Sequence, residues 1–260
     1  MTNNQIMKIS IISDVHIKKT GDDACCLLLA FLKSSEVKCS QKILLLGDIF
    51  DLMIGNHQQY LTEFKIIFDE ILKRMTEGIK IYYFEGNHDF HLSDLFKTFC
   101  EQNSMQGRVK FIKTFWNISI NEKEYLFCHG DDIEIGNYSY KIYKSLINNR
   151  FMSFIADEIF TYEMIKFIGD RASKISRKRN TYKYSYEKES SNLKMKYREA
   201  SEKLRRKLKF DYLVCGHSHI KDDYQSLSGF RYLNNGFALS TKSFIFFDGN
   251  EFSFIPLTSE

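Results

Sequence analysis

The sequence predicts an α/β fold, a sandwich of two sheets, from three observations. Apolar, β-branched runs alternate with helical stretches through the N-terminal part, a second group of strand-like runs fills the C-terminal part, and strand after strand ends in Gly, Asp, Asn or His. The first strand is KISIIS (8–13), which alternates; KILLLG (42–47) is a continuous apolar run ending in glycine, and KIYYFEG (80–86) ends the same way. Between them DDACCLLLAFLKSS reads as a helix. So does YLTEFKIIFDEILKRMTEG, where Leu61, Phe64, Phe68, Ile71, Leu72 and Met75 recur at helical spacing and Gly78 stands at the end. Alternation of this kind predicts parallel strands joined by right-handed crossovers. RVKFIK, WNISIN and EYLFCHG add strands, and the late group DYLVCGHSH, FRYLNNG, SFIFFDG and EFSFIPL is expected to form a second sheet with a meander.

Composition narrows the class. A chain of 260 residues, 43% hydrophobic, can bury one large core. Its six cysteines (Cys25, Cys26, Cys39, Cys100, Cys128 and Cys215) form no CxxC pair and mostly sit in apolar stretches, which suits reduced thiols and a cytoplasmic location. The segment MTNNQIMKISIISDVH lacks a basic n-region and a long apolar h-region, and no apolar run approaches the length of a membrane span, so the expected protein is neither exported nor membrane-spanning. No internal repeat or low-complexity linker interrupts the chain.

The reading is of a single domain, 1–260, with residues 137–210 a basic helical insertion. That segment carries 19 Lys or Arg against 8 Asp or Glu, whereas the remainder carries 18 against 25. Such segregation points to an acidic ligand or surface. Within it, Leu193, Tyr197, Ala200, Leu204 and Leu208 form an apolar stripe at helical spacing.

The chemistry lies at the strand ends: Asp14 and His16 in SDVH, Asp48 in LGD, Asn87 and His88 in GNHD, His129 in CHGDD, and His217 and His219 in GHSH. A lone Asp after a strand is most often a turn or helix cap, and a lone His a satisfied polar residue. Several together, all following apolar strands, converge on one crevice, because open α/β sheets gather ligands outside the carboxyl ends of their strands. Imidazole, carboxylate and amide oxygen without thiolate suit Mn²⁺, Fe²⁺ or Zn²⁺ rather than Ca²⁺. So many donors imply two ions, and a metal pair that acidifies water is suited to phosphate ester hydrolysis. His91, His57, Asp131 and Asp132 stay outside the metal set: His91 has a surface or core role, His57 begins or caps the following helix, and Asp131 and Asp132 orient metal-bound histidines or cap a loop.

In order, D-x-H, G-D, G-N-H-D, H-G and G-H-x-H resemble the calcineurin-like metallophosphoesterase family. The resemblance implies an αββα sandwich in which Asp14, His16 and His219 hold one ion, Asn87, His129 and His217 hold the other, and Asp48 bridges. It also implies that His88 hydrogen-bonds the phosphate, protonates the leaving oxygen and is oriented by Asp89. Mn²⁺ is the first choice of metal, with Fe²⁺ or Zn²⁺ as alternatives.

GDIFDLMIG (47–55) is similar to the G-D-x-F-D-x-W-x-G signature of bacterial UDP-2,3-diacylglucosamine pyrophosphatases of lipid A synthesis, with Met53 in place of tryptophan. The resemblance implies that the insertion is a lid over acyl chains. RASKISRKRN is similar to a basic Ser-Arg segment of those enzymes, which makes Arg171, Lys174 and Arg177 candidates for phosphate contact. Apolar lid residues, Phe151, Phe154, Ile155, Ile159, Phe160, Ile165, Phe167 and Ile168, raise the prospect of peripheral contact with the cytoplasmic face of the inner membrane. This chain has Gly-Asn-His-Asp where the classical lipid enzymes carry Gly-Asn-Arg-Asp. Two alternatives therefore stay open: a generic phosphodiesterase or nuclease using the basic insertion, and a non-catalytic interaction scaffold.

Overall fold

The computed structural model describes residues 6–133, 161–165, 167 and 186–257. The alternation in KISIIS becomes β1 (Ile9–Ile12), and parallel to it run β2 (Lys42–Leu45), β4 (Lys80–Phe84) and β6 (Val109–Ile112). Between β2 and β4 lie β3 (Met53–Ile54), α3 (Gln59–Glu63) and α4 (Lys65–Thr76); earlier come α1 (Asp23–Lys33) and α2 (Ser35–Lys38). The Asp22 carboxylate caps α1 by accepting from Cys25 N–H. The stretch read as one helix from Tyr60 onward is two, because Phe64 leaves helical backbone at φ −105°, ψ 29°. After β4 come β5 (Asp89–Phe90), which pairs with β3, and α5 (Ser93–Gln102), a helix not anticipated from the sequence although Leu95, Phe96, Phe99 and Cys100 recur at helical spacing and are buried.

The second sheet is built on β8 (Lys123–Cys128), β9 (Tyr212–Cys215) and β11 (Arg231–Asn234), mutually parallel, with β7 (Phe115–Ile120) and β10 (Asp222–Gln225) as antiparallel edges. The late strands do not stay together as expected. After α7 (Ala238–Thr241), β12 (Ser243–Phe247) and β13 (Phe252–Pro256) return to the first sheet, where β12 pairs antiparallel with β1. All five residues of β12 are buried, which an edge hairpin on the second sheet would not provide.

Period-two alternation sorts the side chains into three layers. Ile9, Ile11, Leu44 and Phe84 of the first sheet meet Tyr125, Phe127, Val214 and Leu233 of the second in the central layer. Ile12, Ile43, Leu45, Ile81 and Tyr83 point the other way, onto α1, α4 and α5. Leu126, Cys128, Leu213, Cys215 and Tyr232 face α6 (Tyr186–Arg205), which lays Tyr197 and Ala200 on them with Leu193 and Leu204 alongside. A fully buried side chain of this size contributes about 1.5–3 kcal/mol, so the stripe is a structural face. Residues 191–205 are accordingly the outer helix of the sandwich, and Leu208 beyond its end is 40% exposed. Most of the remaining insertion, including Phe151, Phe154, Ile155, Ile159, Phe160 and Ile168, lies outside the described residues. Within it Ile165 is buried and Phe167 exposed, and the Tyr162 ring rests 5.2 Å from Tyr60 with its hydroxyl donating to Glu63, which ties the insertion to α3. No helix among the described residues is long and apolar enough to cross a membrane.

Candidate metal centre

Three of the five strand-end motifs, SDVH, LGD and GHSH, place their donors on left-handed backbone. Asp14, His16, Asp48, His217 and His219 all adopt positive φ, between 52° and 66°. Asp and His tolerate this backbone better than most residues, yet it costs on the order of 1 kcal/mol or more each and persists only where the surroundings impose it. Here two sheets packed through the central layer impose it. The turns bring Asp14, His16, Asp48 and His219 into one group, and Asp48, His129 and His217 into another, with donor atoms within 4.8 Å of one another in each.

Asp48 belongs to both groups. Its Oδ1 accepts from His88 N–H at 2.9 Å, while its Oδ2 lies 3.8 Å from His16 Nε2 and 3.6 Å from His129 Nε2. On one side His16 Nε2 and His219 Nε2 are 3.1 Å apart and His219 Nε2 is 3.4 Å from Asp14 Oδ1. On the other, His129 Nε2 lies 3.2 Å from His217 Nδ1 and 3.3 Å from Asn87 Oδ1. In the neutral ring the tautomer of His129 is fixed: its Nδ1 is 2.7 Å from the Leu46 carbonyl oxygen, which can only accept, so Nε2 then turns a lone pair to the site. Two acceptor-rich clusters sharing one carboxylate fit divalent cations, for protons alone satisfy few of these contacts.

The backbone was cleared for this approach. A Cβ at Gly86 would stand 2.2 Å from Asp48 Oδ1, and one at Gly216 would stand 2.3 Å from Asp14 Oδ2. Both Asp14 oxygens accept from His217 N–H at 3.0 Å, which fastens the second sheet to the first. Burial opposes charge on His129, but Asp48, Asp131 and Asp14 lift its pKa to about 9. Burial likewise opposes ionisation of Asp48, and His129, His88 and His16 bring it down to about 2. The metal-free centre is therefore an ion-paired cluster at neutral pH.

Asp89 does not orient His88 as expected. Its buried carboxylate accepts from the N–H groups of Asp48, Ile49, Phe50 and Gly86 and from the Tyr83 hydroxyl, so it shapes the turn that presents Asp48. Extended backbone sends neighbouring side chains to opposite sides. Burial and the Asp48 charge push its carboxyl up to about 7. His88 instead has Nδ1 2.7 Å from the carbonyl oxygen of Asp51, which leaves Nε2 for other partners. Asp51 itself was not foreseen: its Oδ1 is 3.6 Å from His16 Nδ1, and it groups with His16 and His88. Its signal is the second aspartate of GDIFD. Phe237 was also missed; its ring stacks on His219, with centroids 5.5 Å apart.

His57 opens α3, its carbonyl accepting from Tyr60 N–H, and His91 is buried against Phe90. Asp131 is buried and adds negative potential at His129. Arg171, Lys174 and Arg177 lie outside the described residues.

Among curated proteins, the chain is 23% identical over 248 residues to a UDP-2,3-diacylglucosamine hydrolase of Histophilus somni strain 129Pt, an alignment covering 95% of this chain and 99% of that protein. It is 24% identical to the protein of that description from Haemophilus influenzae strain PittGG, over 82% and 84% of the two chains. A solved archaeal phosphodiesterase superposes with a TM-score of 0.50 at 12% identity, covering 96% of this chain and 99% of that one, a likeness of fold. The model of the calcineurin-like phosphoesterase family matches residues 7–221. With the sandwich built and both donor clusters spanned by that match, the chain belongs to the calcineurin-like phosphoesterase family, whose chemistry makes it a hydrolase.

Proposed function

We propose that this hydrolase uses two divalent ions to cut the pyrophosphate of UDP-2,3-diacylglucosamine, giving UMP and 2,3-diacylglucosamine 1-phosphate for lipid A synthesis. The observation that carries the reading is Asp48 Oδ2 standing between two donor clusters. Asp14, His16 and His219 would hold one ion, Asn87, His129 and His217 the other, and Asp48 would bridge, with Mn²⁺ the preferred metal. The choice of substrate is supported by the description of the Histophilus and Haemophilus relatives, which align over most of their length, and by GDIFDLMIG.

Metal held there would supply a lowered pKa for water and neutralise negative charge developing on the phosphoryl oxygens. The protein's own residues do the rest. His88 donates Nδ1–H to the Asp51 carbonyl oxygen, which fixes the ring and leaves Nε2, when the ring is protonated, to donate to a phosphoryl oxygen and to give its proton to the leaving oxygen. Asp51 Oδ1 faces His16 Nδ1 and so favours Nε2 as the donor to the centre. Asp89 acts one step further out, by holding the turn of Asp48. In the insertion, Arg171, Lys174 and Arg177 would grip phosphate, and its apolar residues would cover acyl chains at the cytoplasmic face of the inner membrane.

The test is UMP release from UDP-2,3-diacylglucosamine in detergent micelles with Mn²⁺, run beside bis(p-nitrophenyl) phosphate and single-stranded DNA. The reading requires kcat/KM for the lipid nucleotide to exceed the others by orders of magnitude. Preference for DNA would make the chain a nuclease, and inertness on all three with metal present would leave a scaffold.

A further inference from the structure

We infer that Lys18 is the cation that receives the second phosphate of a pyrophosphate substrate and so separates such substrates from simple phosphodiesters; this rests on the reading above. The fold sets Lys18 beside the centre. Ile17 bridges Phe50 in parallel register, with Ile17 N–H donating to the Ile49 carbonyl and Asp51 N–H to the Ile17 carbonyl, so that Lys18 comes abreast of Asp51. The turn beyond it is fixed, since Asp22 Oδ2 accepts from both Lys18 N–H, at 3.0 Å, and Lys19 N–H, at 3.1 Å.

Asp51 then divides its carboxylate: Oδ1 faces His16 Nδ1 at 3.6 Å, and Oδ2 faces Lys18 Nζ at 3.8 Å. Its carbonyl oxygen meanwhile holds His88. The ammonium thus stands on the same aspartate as the imidazole that faces substrate, one residue from the metal donors. Its side chain is 52% exposed, and a pair so wet contributes little to stability. A half-exposed ammonium on a fixed turn at the rim is, however, within reach of a phosphate oxygen entering from solvent, and as a compact point charge it suits a phosphate whose orientation changes during reaction. A diester with one phosphate has nothing to offer it once that phosphate is engaged at the centre. A pyrophosphate does.

The experiment compares wild type, Lys18→Met and Lys18→Arg in two ways. Kinetics are measured with a UDP-linked pyrophosphate and with bis(p-nitrophenyl) phosphate, and binding of methylenediphosphonate and of inorganic phosphate is measured by calorimetry. The inference expects Lys18→Met to lower kcat/KM for the pyrophosphate, and affinity for the diphosphonate, about tenfold more than for the single-phosphate partner, with Lys18→Arg recovering most of the difference. Equal losses on both substrates, or no loss, would overturn it. Failure of wild type to hydrolyse any phosphoester would instead strike the proposed function, and the diphosphonate-to-phosphate affinity ratio would still decide the role of Lys18.

Discussion

The two sheets contribute unlike halves to the centre. The first, through the ends of β1, β2 and β4, supplies both carboxylates, Asp14 and Asp48, each with an oxygen taken by a backbone N–H, and adds His16 and Asn87. The second, through β8 and β9, supplies only imidazoles, His129, His217 and His219. At the centre, polar stitches join them, among them His129 Nδ1–H to the Leu46 carbonyl and His217 N–H to Asp14. The difference teaches that neither sheet alone makes a cation site: negative charge comes from one side, most of the neutral donors from the other, and the central apolar layer brings them together.

The strongest way to break this division is to remove the shared carboxylate. Asp48→Ala is expected to drive hydrolysis below detection, on the order of 10³-fold or more in kcat/KM, with both ions lost by metal analysis; retention of two ions per chain would show that the halves do not depend on Asp48. His88→Ala tests a residue that faces substrate while leaving both clusters intact. It should lower kcat about 10²–10⁴-fold while metal content stays at the wild-type value, and wild-type turnover would remove His88 from the chemistry.

The smallest expected effect sharpens the electrostatic side. In metal-free protein, the His129 pKa is raised to about 9 from 6.5 and the Asp48 pKa lowered to about 2 from 3.8. The His129 contribution to stability is then complete below its unfolded value and disappears as pH climbs through about 9, whereas that of Asp48 is complete above its unfolded value and disappears as pH drops through about 2. The Tm of the metal-free protein should fall between pH 6.5 and 9, and saturating Mn²⁺ should abolish that fall, because the metal takes the deprotonated imidazole. A flat metal-free profile across this range would mean that the two halves are not ion-paired.

Much of this was legible because the donors follow apolar strands and turn residues, a local signature that survives without coordinates. Asp14, His16, Asp48, Asn87, His129, His217 and His219 were all singled out that way, and the structure brings them together. Asp89 was misassigned because adjacency in sequence suggested adjacency in space, while the extended backbone turned it into the core against Tyr83. Asp51 stayed hidden because its place depends on the register between Ile17 and Phe50, which a single sequence does not encode locally. The same applies to β12 and β13, whose apolar pattern identifies strands but carries no information about which sheet receives them.

The position of β12 has a consequence for synthesis. The opening strand, β1, is flanked by β2 on one side and β12 on the other, so during translation its second edge lacks a partner until Ser243–Phe247 has left the ribosome. Asp14 and His16 sit at the end of that strand. The nascent chain therefore carries two of the seven candidate metal donors on an unfinished edge, a window in which chaperones or neighbouring chains compete for it.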